Sequence, residues 1–476
     1  MATLHDFLEA TGGRVLISST IGSLDALTIG AVTTDSRQVR NGDVFWALRG
    51  GKRDGHEFAA DAFQRGAAGA VVSRLMDIPT GRWALMVADT QDALRRWASW
   101  KRRHFTGLVI AVTGSVGKTT TRQMIHTVLS ARLKGTASPR NFNNHLGLPL
   151  SMLAIEPEHD YAVLELGASR PGEIKALAEL CVPKIGVITQ LGEAHLAGFG
   201  SRQGVAEAKA ELLAALPPDG QAILADDPAL RQVAHDCQAR ITWVGAGEQC
   251  DLRAIGVTTQ QGQLNFRVVA GGNPGREDLR AAVGYKFTVP VWGRHHLTGA
   301  LVAVAVGRTL GLDLEQIADA LACFQSLPMR CEVREIRGAT VINDTYNASP
   351  TAMCAALELL REMEAPGRRI VVCGDMAELG TQSVALHWQL GKQVAEVAAA
   401  DLLIACGQFA RHVVAGARAG GMAAGRTIAC QQSEEILPHL GQAVVPGDVV
   451  LVKGSRVMGM ERVVEALEQF PRRRSA

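Results

Sequence analysis

Lys118 and Thr119 set a cation and a hydroxyl side by side directly after a glycine-rich turn, and that pairing is suited to binding a polyphosphate. They sit in GLVIAVTGSVGKTTTR, residues 107–122, where a β-branched apolar run at 108–112 is followed by Gly114 and Gly117 and then by a helical pattern through residue 130. Strand, loop and helix in that order present backbone amides and a positive helix end to an anion. Lys118 adds a point charge near the outer phosphates, and the Thr119 hydroxyl suits a magnesium ion. The full pattern G-x-x-x-x-G-K-[ST] wants glycine where Val112 stands, so the loop is a variant, built on Thr113, Gly114, Ser115, Val116, Gly117, Lys118, Thr119 and Thr120.

Other polar groups need elements to bring them to this loop. Residues 161–166 read as a strand with Glu165 near its carboxyl end, and 184–189 as another that ends in the loop containing His195. Ligands of open parallel sheets sit beyond the carboxyl ends of the strands, which predicts Glu165 and His195 on one rim with Lys118 and Thr119. Glu165 then becomes a magnesium carboxylate, and His195 either a metal ligand or the orienter of a carboxylate. The segment 139–149, PRNFNNHLGLP, holds Asn143 and Asn144 and reads as an amide-rich clamp. Helix 204–215 carries Lys209 among Ala206, Ala208 and Ala210, near Glu207 and Glu211; as a sequence pattern this describes a solvated lysine with no assigned role.

With 476 residues the chain is too long for one core, and three domains are expected. The class is α/β: a small N-terminal α/β domain over 1–106, a central P-loop ATPase-like domain with a mostly parallel sheet over 107–326, and a Rossmann-like C-terminal domain over 327–476. In the first, the apolar run 44–48 precedes a turn-rich loop at 49–56, which is either surface punctuation or a polar ligand pocket; 90–105 is an amphipathic helix whose Trp97 and Trp100 belong in a core. In the last, strands are expected within 341–350, 369–375, 401–406 and 449–456, without the G-x-G-x-x-G of a dinucleotide site.

A hydrophobic content of 47% and a formal charge of +2 describe a globular chain with no electrostatic bias toward nucleic acid or membrane. The start MATLHDFLEATGG lacks an apolar signal core and no run of 18 apolar residues occurs, so a cytoplasmic protein without membrane insertion is expected. The basic end at 471–474 reads as a solvated tail. Nine cysteines without a C-x-x-C pair read as reduced, mostly buried thiols, not as a disulfide framework or a zinc site.

These motifs together resemble the Mur ligase family over nearly the whole chain. The resemblance rests on TGSVGKTT, NFNNHLGLP, ELGASRPGEI from Glu165, GEAHLAGFGS from Gly192, LPMR ending in Arg330, NDTYNASP from Asn343, GDMAELG from Gly374 and LVKGSR from Leu451. It implies an ATP-dependent amide ligase of peptidoglycan precursor synthesis with Mg2+ as cofactor, acting as a monomer. Its expected substrates are UDP-N-acetylmuramoyl-tripeptide and D-alanyl-D-alanine, because NDTYNASP and GDMAELG point to that member and the Asp-Asn-Pro-Arg of the preceding step is missing. On the same ground Ser36, Arg37 and the Asp54-Gly55-His56 turn would hold the uridine diphosphate end. Arg330, Asp344, Tyr346 and Asn347 would join the ATP contacts, Lys453 would reach the reacting side, Asn143 and Asn144 would orient the peptide, and a carbamylated Lys209 would join Thr119, Glu165 and His195 around magnesium. Lys118, Glu165, His195 and Lys209 thereby form the expected catalytic set.

The family pattern Gly-Arg-His-Asn-x-x-Asn-Ala, which touches adenine, appears here as Gly293-Arg-His-His-Leu-Thr-Gly-Ala300, with His296 and Gly299 in place of the amides. Three rival readings are another amino-acid-adding ligase of the family, a regulatory GTPase or P-loop hydrolase, and a non-catalytic nucleotide-binding module. A GTPase needs N-K-x-D after the loop, and the nearest match, residues 51–54, precedes it and lacks the asparagine.

Overall fold

The computed structural model describes residues 2–17, 27, 29–51, 53–139, 141–270 and 284–469; the basic run at 471–474 and positions 52 and 140 of the two polar loops lie outside the described residues. Among the described residues three sheets, of five, nine and six strands, carry the fold. The chain groups into two compact units, one of Met1–Ala111, Leu133–Gly167 and Lys175–Lys184, the other of Val112–Arg132, Ala168–Ile174 and Ile185–Ala476.

In the first unit the five strands lie in the order Arg14–Ile17, Trp83–Met86, Gly69–Val72, Val44–Trp46, Val32–Thr33, parallel except for the first pair. Helix Leu4–Thr11 opens on a capping box, with Thr3 and Asp6 each satisfying the other's backbone amide. Helix Thr90–His104 starts where Asp89 accepts from the amides of Gln91 and Asp92, and ends in four basic residues that complement its negative pole. Its Trp97 is buried against Phe7, ring centroids 4.6 Å apart. Trp100, expected in the core, is half-buried: it stacks on Trp97 at 4.9 Å and covers the core's edge. The same unit holds the parallel pair Gly135–Ala137 and Tyr161–Glu165.

The second unit contains helix Lys118–Ser130, whose bounds match the sequence pattern. Strands Ile185–Ile188, Gln221–Ala225, Arg240–Gly245 and Leu252–Gln260 pair in parallel, followed by antiparallel Gln263–Ala270 and Tyr285–Val289. Helix Leu297–Thr309 packs on Lys118–Ser130 through two glycines. A Cβ on Gly299 would lie 2.9 Å from Thr121 Oγ1, and one on Gly307 2.9 Å from Val128 Cγ1. The six-stranded sheet follows the order Glu332–Ile336, Ala339–Asp344, Val449–Lys453, Arg369–Gly374, Leu402–Cys406, Thr427–Cys430, with only the first pair antiparallel.

Strand alternation in that sheet feeds two cores. Val371 and Cys373 pack with Met353, Leu357 and Leu390 from the helices on one face, and Ile370 and Val372 with Ile436, Leu440 and Val463 on the other. Helices cover both faces, as the Rossmann-like expectation requires. All nine cysteines are free thiols, six of them buried. No helix among the described residues is long and apolar enough to cross a membrane.

Candidate active site

The phosphate loop is shaped by contacts only glycine permits. Gly114 has φ +141°, and a Cβ there would sit 2.0 Å from Thr189 Oγ1. The Thr189 hydroxyl donates to the Val116 carbonyl at 2.7 Å, and the Ser115 and Val116 amides donate to the Gln190 carbonyl at 3.0 and 3.2 Å. Two amides expected to face an anion are thus committed to the neighbouring strand's exit. The first turn of Lys118–Ser130 is left for that role: Gly117 precedes it at φ +85° and, as a glycine, offers no side chain to cap it. Lys118 Nζ arches back to donate to the Gly114 carbonyl at 2.7 Å. The buried Ser115 Oγ has no hydrogen-bond partner among the described residues.

Thr119, also buried, accepts a hydrogen bond from Arg330 Nη2 at 2.9 Å. The Arg330 guanidinium lies 3.9 Å from the centroid of the Tyr346 ring, a cation–π contact. Met329 and Cys331 on either side of Arg330 both have positive φ, 59° and 50°, so the turn that aims it is strained. The turn is tied down by the Cys331 amide to Asp344 Oδ1 at 3.2 Å and by the Tyr346 amide to the Met329 carbonyl at 3.1 Å. Lys453 pairs with Asp344 Oδ2 at 2.5 Å and donates to the Asn347 carbonyl at 2.9 Å. Asp344 and Lys453 thus form one buried pair, so the lysine expected at the reacting side has its charge balanced inside the protein.

His195 sits at the start of the short helix Leu196–Phe199 with φ 56°, and its Nδ1 is paired with the Glu378 carboxylate. Burial pulls its pKa down, Glu378 pushes it up, and Lys118 and Lys209 oppose its protonation further. Glu378 had no role in the sequence reading, although GDMAELG contains it; only the fold, which brings residues 195 and 378 together, assigns it.

Lys209 corrects the sequence pattern. The alanines around it form a packed face, with Val205, Ala206, Ala208 and Leu212 buried, and Lys209 itself is 1% exposed. Its Nζ lies 5.1 Å from the Phe199 ring centroid, and its hydrogen bond to the Ala168 carbonyl is long at 3.4 Å. Burial, aided by Lys118 and resisted by Glu211 and Glu173, brings its pKa down to about 7. Near neutral pH it is a partly neutral amine and therefore a nucleophile.

In the other compact unit, Glu165 is 1% exposed and accepts from Asn143 Nδ2 at 2.8 Å. Gly167 makes this possible, since a Cβ there would be 2.8 Å from Asn143 Cγ. Asn144 Oδ1 caps helix Gly147–Leu153, accepting from the amides of Leu146 and Gly147, which leaves its NH2 group for other contacts. Ser36 is buried, while Arg37 is exposed and bidentate on Asp35 at 2.8 and 2.9 Å. His56 bonds Asp54 through Nδ1 at 2.6 Å and accepts from the Ser73 amide at Nε2, so both ring nitrogens are occupied; Gly55 passes so close to Leu48 that a Cβ would lie 2.6 Å from its carbonyl oxygen. The Asp54-Gly55-His56 turn is internally bonded, and any ligand it meets would be met by its backbone or by Asp54.

Profiles of three domains match in sequence order: the catalytic domain of the Mur ligase family at residues 28–91, the Mur ligase middle domain at 112–307 and the Mur ligase glutamate ligase domain at 329–456. The chain belongs to the Mur ligase family. Among curated relatives it is 34% identical to the UDP-N-acetylmuramoyl-tripeptide--D-alanyl-D-alanine ligases of Bacillus subtilis and of Escherichia coli, in each case over 93% of this chain and 94% of the relative. Its fold superposes on crystal structure I of MurF from Acinetobacter baumannii with a TM-score of 0.84 at 32% identity, covering 98% of each chain. The MurF ligase of Thermotoga maritima, solved in complex with ADP, gives 0.77 at 30% identity over 92% of this chain and 97% of that one. The mixed α/β, parallel-rich sheets correspond to the three-domain fold of these structures, and neither the GTPase nor the non-catalytic reading is favoured.

Proposed function

We propose that this chain joins D-alanyl-D-alanine to UDP-N-acetylmuramoyl-tripeptide at the expense of ATP, in the cytoplasm, as a monomer. The observation that carries the reading is the placement of Lys118 on the phosphate loop, the pairing of His195 with Glu378 and the burial of Lys209, with Lys118 opposing protonation of both His195 and Lys209. Relatives of near-equal length and the ADP complex of one of them support the substrate and nucleotide assignments. The domains are taken as 1–106 for the uridine diphosphate end, 107–326 for ATP and 327–476 for closure over it; each profile match falls inside one of these spans.

The Ser115 hydroxyl, without a hydrogen-bond partner among the described residues, and a helix start whose N-cap glycine has no side chain fit a polyphosphate. Magnesium prefers oxygen ligands, and the Thr119 hydroxyl and, in the other compact unit, the Glu165 carboxylate are each of that type. Lys209 fits only after its neutral amine adds CO2, which gives a carbamate with two oxygens and releases one proton. His195, held by Glu378, orients that carboxylate-rich set. When bound, the metal offsets charge as the γ-phosphoryl passes to the tripeptide carboxylate. Lys118 neutralises the same phosphoryl, and Arg330 reaches the loop beside it. The D-alanyl-D-alanine amine then attacks the acyl phosphate, and the tetrahedral intermediate expels phosphate.

Phosphate release tests this directly. Release should require UDP-N-acetylmuramoyl-tripeptide and D-alanyl-D-alanine together. Release indifferent to either, or supported by a single amino acid in place of the dipeptide, overturns the proposal.

A further inference from the structure

Three metal-type ligands converge next to the Arg330 turn; the phosphate chemistry and the ion pairs above use none of them, although His296 stands where the family pattern has its adenine-touching asparagine. His295, His296 and Cys331 each place a ring nitrogen or sulfur within 4.8 Å of the other two. His295 Nε2 and Cys331 Sγ are 3.5 Å apart. A tetrahedral zinc ion with bonds of about 2.0 Å to nitrogen and about 2.3 Å to sulfur requires an edge of roughly 3.5 Å between them. Among the described residues the His295 ring makes no hydrogen bond besides that to Cys331, and the His296 ring makes none. We propose that His295, His296 and Cys331 bind a zinc-type divalent cation, with water in the fourth position, and that the bound ion clamps the turn that carries Arg330.

The chemistry is distinct from that of the phosphate loop. A sulfur and two imidazoles select zinc or cobalt over magnesium, which takes oxygen. Burial disfavours the protonated form of both histidines, bringing His295 down to about 4 and His296 well below the usual imidazole range. Burial and Asp344 hold the Cys331 thiol protonated. Binding therefore breaks the S–H bond, forms a metal–sulfur bond and sends the proton to solvent, with no change of oxidation state. Asp344 lies beside Cys331 and favours the incoming charge, while its partner Lys453 and Arg330 oppose it, so the imidazoles and the thiolate formed on binding must supply the affinity.

The clamp follows from what each ligand is attached to. His295 and His296 immediately precede helix Leu297–Thr309, which packs on the phosphate-loop helix, and Cys331 directly follows Arg330. An ion shared by the three fixes the strained Met329–Cys331 turn relative to the phosphate loop. If residues 327–476 must swing during turnover, zinc slows it.

The full chain, stripped with a chelator and then held in saturating Mg2+, is titrated with Co2+ as a spectroscopic stand-in for zinc. One Co2+ per chain should bind with a near-ultraviolet thiolate-to-cobalt band, which Zn2+ bleaches and Cys331→Ser abolishes. Absence of the band, or its survival in Cys331→Ser, overturns the site. Should that variant not fold, wild-type alkylation followed by mass spectrometry decides: Zn2+ must protect Cys331 and not the exposed Cys323, and equal labelling of Cys331 with and without Zn2+ overturns the site. Zn2+ should also inhibit the wild type and spare Cys331→Ser; equal inhibition of both overturns the clamp. The inhibition arm rests on the ligase reading and the cobalt and alkylation arms do not, so the two can fail separately.

Discussion

If magnesium is held as proposed, Lys209 decides how its ligand set is completed, because an ammonium cannot ligate magnesium and a carbamate can. Lys209→Ala should lower turnover by at least roughly a hundredfold, the upper range for disturbing a metal's ligand environment. Formate or acetate should restore part of it by returning a carboxylate to the cavity; full activity without rescue removes Lys209 from the mechanism. Only the neutral amine adds CO2, so at fixed CO2 pressure activation should rise with pH through about 7. The same shift has a stability signature. The folded-state pKa lies below the unfolded one, so between about 7 and the ordinary lysine range the unfolded chain holds the extra proton, and stability from this group rises with pH across that window. Lys209→Met should accordingly gain stability over wild type at low pH and lose that advantage as pH rises, as read by denaturant midpoints. Glu378 acts through His195. Glu378→Gln removes the charge that raises the His195 pKa, so proton NMR should show His195 titrating at lower pH, with turnover down roughly 10–100-fold. An unmoved His195 titration would leave Glu378 with a purely structural part.

Among elements, the phosphate-loop strand and helix were legible because their two periods and the intervening glycines all point the same way, and the observed Leu108–Thr113 and Lys118–Ser130 agree with them. Lys209 was legible only through the family resemblance and not through periodicity, because an alanine-rich helix has no apolar stripe strong enough to show which face is buried. Glu378 and the His295–His296–Cys331 group were hidden for a different reason. Each joins residues far apart in sequence that follow or precede strands of two different sheets, the nine-stranded and the six-stranded, so no local spacing signals the contact. Gly299, where the family pattern has asparagine, has an element-level explanation, since it lets Leu297–Thr309 approach Thr121. Gly299→Ala tests this. Helix propensity favours alanine by about 1 kcal/mol. The added Cβ would lie 2.9 Å from Thr121 Oγ1 and 3.3 Å from Met124 Sδ, both inside the packed interface, and overpacking of that kind costs about 1–3 kcal/mol. The balance should be a net loss of up to about 2 kcal/mol, measured by chemical denaturation; a more stable variant would show that the two helices have room to part.

For the whole molecule the question is how a water-sensitive acyl phosphate survives until the amine attacks. Arg330 is placed to couple the two events, since one guanidinium both donates to Thr119 on the phosphate loop and stacks on Tyr346 of the segment leading to helix Pro350–Glu362. If closure of residues 327–476 depends on that contact, its loss should harm coupling more than chemistry. Arg330→Ala is therefore expected to release more phosphate than it forms amide, whereas the wild type keeps the two near equal, as measured by parallel phosphate and product assays on one reaction. Tyr346→Phe keeps the ring face and should stay coupled. Tyr346→Ala gives up a cation–π contact worth about 0.5–2 kcal/mol and should leak to a lesser degree than Arg330→Ala. Equal phosphate and amide at a reduced rate in Arg330→Ala would mean that the guanidinium serves nucleotide binding alone, and that water is excluded by another part of the protein.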